Sequence, residues 1–175
     1  FHGTTYGLLR SGQSLTPFVL DALLAVPETA YRAKPEAIDR AFVFMKKNTN
    51  ADGALGQMDE TAADYPNYAT ALAVTTMVKA RGAGRNFDAA PMVAHLRAQQ
   101  FSEANGWQRE DRPYGAWGMG GPIQRPPDTG HVDLSMTRYV LEALRASGVP
   151  ASDPAITKAM VYLERSQNND GGFYF

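Results

Sequence analysis

The sequence predicts an all-α fold in which a two-helix unit is written three times, and three observations carry that prediction. The first is Gln167-Asn-Asn-Asp170-Gly171-Gly172-Phe173-Tyr-Phe175. Ala155, Ile156, Ala159, Met160 and Leu163 run into it at helical spacing, and it turns at two glycines and comes out on aromatic rings. The second is that the same order stands twice upstream. Lys46-Lys-Asn-Thr-Asn-Ala-Asp52-Gly53-Ala-Leu55 closes one helix, and Gln99-Gln-Phe-Ser-Glu-Ala-Asn105-Gly106-Trp107 closes another. The third is register. Thr16, Thr70 and Thr137 fall at equivalent places, with Leu23, Met77 and Leu144 seven residues later and the turn glycines Gly53, Gly106 and Gly171 about 35 residues later. One helix pair cannot bury its own apolar face, so a repeat of this length implies a stacked or ring-like array.

Each element has its own signal. Phe1 to Ser14 is rich in Gly, Ser and Thr and reads as loop, with a short helical turn at Tyr6 to Arg10. The first helix opens with Thr16 as N-cap and Pro17 at the first helical position, where no N–H is needed. Phe18, Leu20, Leu23 and Leu24 give it an apolar face, and Pro27 ends it. Pro35 starts its partner, with Glu36 in the first turn and Lys46 and Lys47 in the last, the signs the helix dipole favours. Ala37, Ile38, Ala41, Phe42 and Met45 form its stripe. The second pair runs from Tyr68 to Lys79, stopped by Gly82 and Gly84, and from Ala89 to about Gln100, capped by Asp88, with Met92, Val93 and Leu96 inward. Residues 108–130 carry Gly115, Gly118, Gly120, Gly121, Pro122, Pro126 and Pro127, a density of breakers that excludes regular structure and marks an insertion. The third pair runs from Leu134 to Arg145 and from Pro154 onward, with Ser152 or Asp153 as cap. The repeats therefore span about 15–58, 66–107 and 134–175 of a single domain.

Composition bounds the partners. A chain of 175 residues suits one domain with a sizeable core, and 44% hydrophobic with 20% charged residues is ordinary for a globular protein. The net charge of -1 argues against an electrostatic grip on nucleic acid or anionic lipid. No apolar run approaches the ~18 residues of a membrane span. Without cysteine there are no disulfides, thiolate metal sites or cysteine nucleophile. The chain starts on Phe1 without a signal-peptide pattern and stops on Tyr174-Phe175, so the expectation is a piece of something longer.

Gln167-Asn-Asn-Asp170-Gly171-Gly172-Phe173 after an apolar helix resembles the QW-type repeat of squalene-hopene cyclases and related terpene cyclases, whose α/α toroid protein prenyltransferase beta subunits share. Gln99 or Gln100 through Gly106 to Trp107 is a looser copy, and Asn48 to Leu55 a degenerate one. Tyr114-Gly-Ala-Trp117-Gly-Met-Gly-Gly121 followed by Asp133-Leu-Ser-Met-Thr137 is similar to the loop and inner helix of bacterial squalene-cyclase-like repeat proteins. The resemblance implies an α/α toroid, here a partial barrel of three antiparallel helix pairs, about half a ring. The remainder would come from a missing chain segment, another copy or a partner protein. It also implies that the Gln amide bonds helix-end backbone while the aromatic ring packs on the neighbouring turn, for Gln167 with Phe173 and for Gln100 with Trp107.

The same family locates the chemistry. Class II terpene cyclases protonate an alkene with an Asp-x-Asp-Asp motif at the start of an inner helix, and the matching place is Asp133-Leu134-Ser135-Met136. Only the first Asp is kept, and a serine hydroxyl cannot protonate a carbon–carbon double bond. Asp133 is either an acid tuned by His131 or, with Ser135, the cap of a helix. Zinc of the prenyltransferase kind lacks its Cys ligand, and His2, His95 and His131 have no ligand spacing; His95 reads as a packing histidine. The thioester motif of complement-type toroids is also missing. Tyr65, Tyr68, Tyr114, Trp117 and Tyr139 are either a ligand cavity, whose π faces would steady a carbocation, or repeat packing. Asp59, Glu60 and Asp64 are an acid cluster at a ring mouth or a solvated loop, and Gly118 to Gly121 is only loosely a phosphate loop. Two functions follow: a cyclase-like protein with an apolar cavity for an isoprenoid or lipid-like ligand, dependent on an acid or metal elsewhere for turnover, or a non-catalytic repeat scaffold for protein partners. No cofactor is expected.

Overall fold

The computed structural model describes residues 11–27, 29–57, 64–82 and 85–173. These are all-helical apart from turns, loops and three isolated bridges. Among the described residues the α-helices are α1 (Leu15–Ala25), α2 (Pro35–Lys47), α3 (Pro66–Gly82), α4 (Ala90–Ala98), α5 (Leu134–Ala146) and α6 (Pro154–Ser166), with a 3-10 turn at Glu103–Asn105. The expected turn at Tyr6 to Arg10 lies outside the described residues.

The caps explain most boundaries. Asp133 is the N-cap of α5 and accepts the Met136 N–H at 2.8 Å, while Asp153 caps α6 by accepting the Ala155 N–H at 2.9 Å. Pro35 and Pro154 open α2 and α6. Val26 turns extended before Pro27, as the residue preceding a proline must, and α1 stops there. Three starts differ from expectation. Helix α1 begins at Leu15 after Ser14, so Thr16 lies inside its first turn and donates its N–H to the Gly12 carbonyl. Helix α3 begins at Pro66 rather than Tyr68, because proline suits the first turn. Helix α4 begins at Ala90, with the Asp88 carboxylate accepting that residue's N–H from two positions ahead.

Helix α3 packs against both α1 and α5, so the first helices of the three pairs form one row with α3 in the middle. Helix α2 packs on α1, α4 on α3 and α5, and α6 on α5. Central placement requires small residues, and Ala69, Ala71, Ala73 and Ala80 of α3 are fully buried, letting neighbouring backbones approach. Phe42, Met45, Leu55, Val74, Leu96, Trp117, Val140 and Leu144 fill the core around them. Phe42 stacks on Phe87 at 4.2 Å between ring centroids, tying the first pair to the second. Both ends of the row carry exposed apolar side chains. On α1 only Leu20 of the expected face is buried and Leu24 partly so, while Phe18 and Leu23 are exposed beside Leu15 and Val19. At the other end Ala155, Ile156 and Ala159 are buried, but Met160 is exposed.

Candidate functional site

The repeat turns show how the sequence builds its junctions. In the first copy the Asn50 N–H donates to the Ala54 carbonyl at 2.9 Å and the Gly53 N–H to the Asn50 carbonyl at 3.1 Å. In the third, Asn168 N–H to Gly172 carbonyl (2.8 Å) and Gly171 N–H to Asn168 carbonyl (2.9 Å) repeat that pattern. The second copy does so with Phe101 N–H to Ala116 carbonyl (3.0 Å) and Gly115 N–H to Phe101 carbonyl (2.7 Å). The matching glycines are therefore Gly53, Gly115 and Gly171, with φ of 80, 90 and 87°. The next position but one holds Leu55, Trp117 and Phe173.

This corrects the second repeat. Gly106 and Trp107 do not close it; they lie in a segment looped out between Phe101 and Gly115. There Trp107 meets Phe101 edge-on at 5.4 Å, donates Nε1–H to the Gln124 carbonyl, and shares a small satellite core with Tyr114 and Ala116. The expected pairing of Gln100 with Trp107 becomes one with Gly115. The Gln100 amide donates to the carbonyls of Gly115 and, across the junction, Ala155 of α6, each at 2.9 Å. Gln167 donates to the Gly171 carbonyl at 3.0 Å, and Asp170 closes the turn by accepting the Gly172 N–H at 2.9 Å. A signal for the true turn is in the sequence: Gly53-Ala54-Leu55-Gly56 and Gly115-Ala116-Trp117-Gly118 share a Gly-Ala-apolar-Gly order.

The first two turns dock on the pair that follows them. The Leu55 N–H donates to Thr70 Oγ1 at 2.9 Å, and the Trp117 N–H to Thr137 Oγ1 at 3.1 Å. A Cβ on Gly53 would overlap the Pro91 carbonyl of α4, its carbon 2.5 Å away; on Gly115 it would overlap the Lys158 carbonyl of α6, its carbon 2.6 Å away. Trp117 is wholly enclosed, its Nε1–H given to the Leu96 carbonyl at 2.7 Å.

The residues singled out for chemistry are mostly engaged elsewhere. His131 Nε2 lies 3.1 Å from Asp133 Oδ2, so the structure does bring this pair together. Asp133 Oδ1 is committed to the Met136 N–H of the helix start. Beside the pair is an open cleft of about 660 Å³, lined by polar Arg112, Arg165, Ser166 and Asn168 as much as by Val132 and Leu134. Tyr68 and Tyr139 meet edge-to-face at 4.9 Å, and the Arg138 guanidinium sits 4.7 Å over the Tyr139 ring. Burial, and then Tyr139, pushes the Tyr68 hydroxyl up to about 12. Tyr65, at φ 48°, leads into α3. Tyr114 donates to Glu103 Oε1 at 2.7 Å, and Lys158 binds Glu103 Oε2 at 2.5 Å, fastening the excursion to α6. The Lys158 and Tyr114 hydrogen bonds hold the Glu103 carboxyl down at about 2, while burial, and then Glu103, pushes Tyr114 up to about 12.

The remaining candidates are packing groups. His95 is buried in α4 with no hydrogen-bond partner for Nε2, and burial lowers its pKa against a weaker opposing pull from Asp52. Asp64 is buried and accepts the Gln13 N–H at 3.1 Å; Asp59 and Glu60 lie outside the described residues, as does His2. Gly118 and Gly120 are packed against the His131 carbonyl and Asn67. Among the described residues no group of three or more His, Cys, Asp or Glu is placed to hold a metal ion, and no helix is long and apolar enough to cross a membrane. Comparison with protein-family models, with curated proteins and with solved structures finds no match to this chain.

Proposed function

We propose that this chain is part of an α/α toroid-type array of helix pairs, and that it serves as a repeat scaffold joining protein partners rather than as a self-sufficient enzyme. What supports the reading is the employment of its chemical residues. Trp117 is sealed inside a repeat junction, Tyr139 has a guanidinium over its ring, and Asp133 holds the start of α5. The open apolar surface instead lies at the two ends of the row, in grooves on α1–α2 and on α5–α6. Large exposed apolar patches on globular proteins mark contacts with proteins, membranes or ligands, and the scaffold reading takes these two as protein contacts. Calorimetric titration with squalene and with a prenyl diphosphate, followed by product analysis, tests it. Neither binding nor product is expected, and saturable binding would sink the scaffold reading.

The second reading is a cyclase-like or prenyltransferase-like protein that holds an isoprenoid. The His131–Asp133 pair beside a cleft of about 660 Å³ favours it, since that volume is in the range of small-molecule sites. Its acid or metal would come from outside these residues. Asp133→Asn separates the two. An isoprenoid-dependent activity abolished by this change, with the fold retained, would support the second reading, because Asn still caps a helix but cannot deliver a proton.

A further inference from the structure

In the middle of the row, at the start of α3, one buried side chain is only half satisfied. Asn67 is 1% exposed and straps the 118–121 loop to the helix. Its backbone N–H goes to the Met119 carbonyl at 3.0 Å and its Nδ2–H to the Gly118 carbonyl at 2.9 Å. Among the described residues nothing donates to its Oδ1. Turning the amide over does not help, because Oδ1 would then face the Gly118 carbonyl oxygen, acceptor against acceptor. A buried acceptor left unpaired keeps the whole cost of losing its water.

Asn67 lines a narrow slot of about 60 Å³ that runs in from the surface between the end of α4 and the loop segments 118–124 and 129–131. Gly120, at φ 92°, keeps the space beside Oδ1 open: a Cβ there would lie 3.0 Å from that oxygen and 2.6 Å from the Asn67 nitrogen. The side-chain donors around the slot are engaged elsewhere. Gln99 Nε2 gives a hydrogen to the Gly121 carbonyl at 2.8 Å, Gln124 Nε2 to the Pro122 carbonyl at 3.2 Å, and the Thr129 hydroxyl to the Gly130 carbonyl at 3.1 Å. The donor that Asn67 needs therefore comes from outside the chain.

We infer that this slot is a binding site for an ordered water, which donates one hydrogen to Asn67 Oδ1 and the other to the side-chain oxygen of Gln99 or Gln124. Size selects the ligand, since small-molecule sites begin near about 300 Å³ whereas this space has room for roughly two waters. Charge agrees: among the described residues no acid lines the slot, so a cation would find no counter-charge there. The water makes a further strap between the loop that leaves the second turn and the helix pair beneath it. Such bridges are nearly as favourable in enthalpy as direct hydrogen bonds.

Water-to-protein NOE and ROE spectra of the isotope-labelled whole chain test this. A cross-peak from water to the Gly120 Hα protons is expected, with the sign of a water that tumbles with the protein. No cross-peak, or the sign of fast-exchanging surface water, overturns the inference. Thr129→Val is expected to leave the cross-peak in place, and its loss would show magnetisation relayed through that hydroxyl instead. Asn67→Leu, close in size but without an acceptor, is expected to abolish it while helical circular dichroism is retained; a peak that survives this change also overturns the inference. Should Asn67→Leu fail to fold, a high-resolution crystal structure of the unmodified chain decides. An ordered water about 2.5–3.0 Å from Oδ1 is expected, and a dry slot refutes it.

Discussion

Alanine at Gly115 and at Gly171 measures what a repeat junction contributes to stability. Both glycines occupy the same place in the same turn, with φ of 90 and 87°, so the left-handed backbone costs either alanine about the same 1–2 kcal/mol. Only the surroundings differ. At Gly171 the new methyl meets nothing within 4 Å. At Gly115 it would overlap the Lys158 carbonyl, with Ala159 N at 3.2 Å, both in the backbone of α6. A helix backbone cannot swing aside as a flexible side chain can, so the turn or the helix must shift. Overpacking of this kind costs about 1–3 kcal/mol in addition. Gly171→Ala is therefore expected to lose about 1–2 kcal/mol and Gly115→Ala about 2–5 kcal/mol. At this chain length each kcal/mol lowers the melting temperature by about 2–4 °C. Urea unfolding followed by far-ultraviolet circular dichroism, at low micromolar protein, reads the difference. Equal losses at the two positions would refute the claim that the second turn rests on α6 and the third on nothing.

Three more outcomes follow from the same contacts. Gln100→Ala should cost about 1–3 kcal/mol, because two backbone carbonyls lose their buried donor, while Gln167→Ala should fall within about 0.5 kcal/mol of wild type; chemical denaturation of both settles it. Asp133→Ala should cost about 1 kcal/mol and Asp133→Asn much less, and equal losses in thermal melts would mean that the His131 contact, not the cap, is what matters. His95 has a folded pKa below its ordinary 6.5, so below that pH the unfolded chain takes up a proton the folded chain refuses. Stability from this group is full above 6.5 and declines as the pH falls. His95→Gln should flatten the fall in urea midpoint between about pH 7.5 and about pH 5.5, and an unchanged slope would place the acid sensitivity elsewhere.

The local parts of the fold were legible because their causes are local. Proline at the first helical position, acid caps and a 3.6-residue stripe need no distant partner, and α2, α5 and α6 lie where those signals put them. The threonine register at 16, 70 and 137 was also legible, although its role, receiving the turn of the preceding repeat, emerges only from the junctions. The second turn was misplaced for a physical reason. Its glycine is separated from Phe101 by a looped segment that carries a decoy Gly106-Trp107, and sequence spacing cannot see a turn closed across an insertion. The α1 face misled differently. Periodicity shows that Phe18, Leu20, Leu23 and Leu24 share a side, but whether anything covers that side depends on the neighbour, and here only part of it is covered. The candidate site was legible as a pairing, since His131 and Asp133 do meet, but not as an environment, since the cleft beside them is open and as polar as it is apolar.

The exposed third turn bears on why a junction of this design works. Its shape does not wait for a neighbour: the Asn168–Gly172 and Gly171–Asn168 backbone bonds, the Gln167 amide on the Gly171 carbonyl and the Asp170 carboxylate on the Gly172 N–H all form within the turn. The first turn is closed in the same way, with Asn50 Oδ1 accepting the N–H groups of Asp52 and Ala54. A surface already held in its docking shape loses little conformational freedom when a helix pair arrives, and most of the burial then appears as net stabilisation. The glycine lets the backbone seat directly on a helix, and the residue two positions on sets how deeply the junction fills. Leucine suffices in the first copy, and tryptophan spans to the Leu96 carbonyl in the second. Phenylalanine presents the same kind of apolar plug at the open end. What distinguishes the third copy from the first two is the exposure of its turn rather than the hydrogen bonds within it.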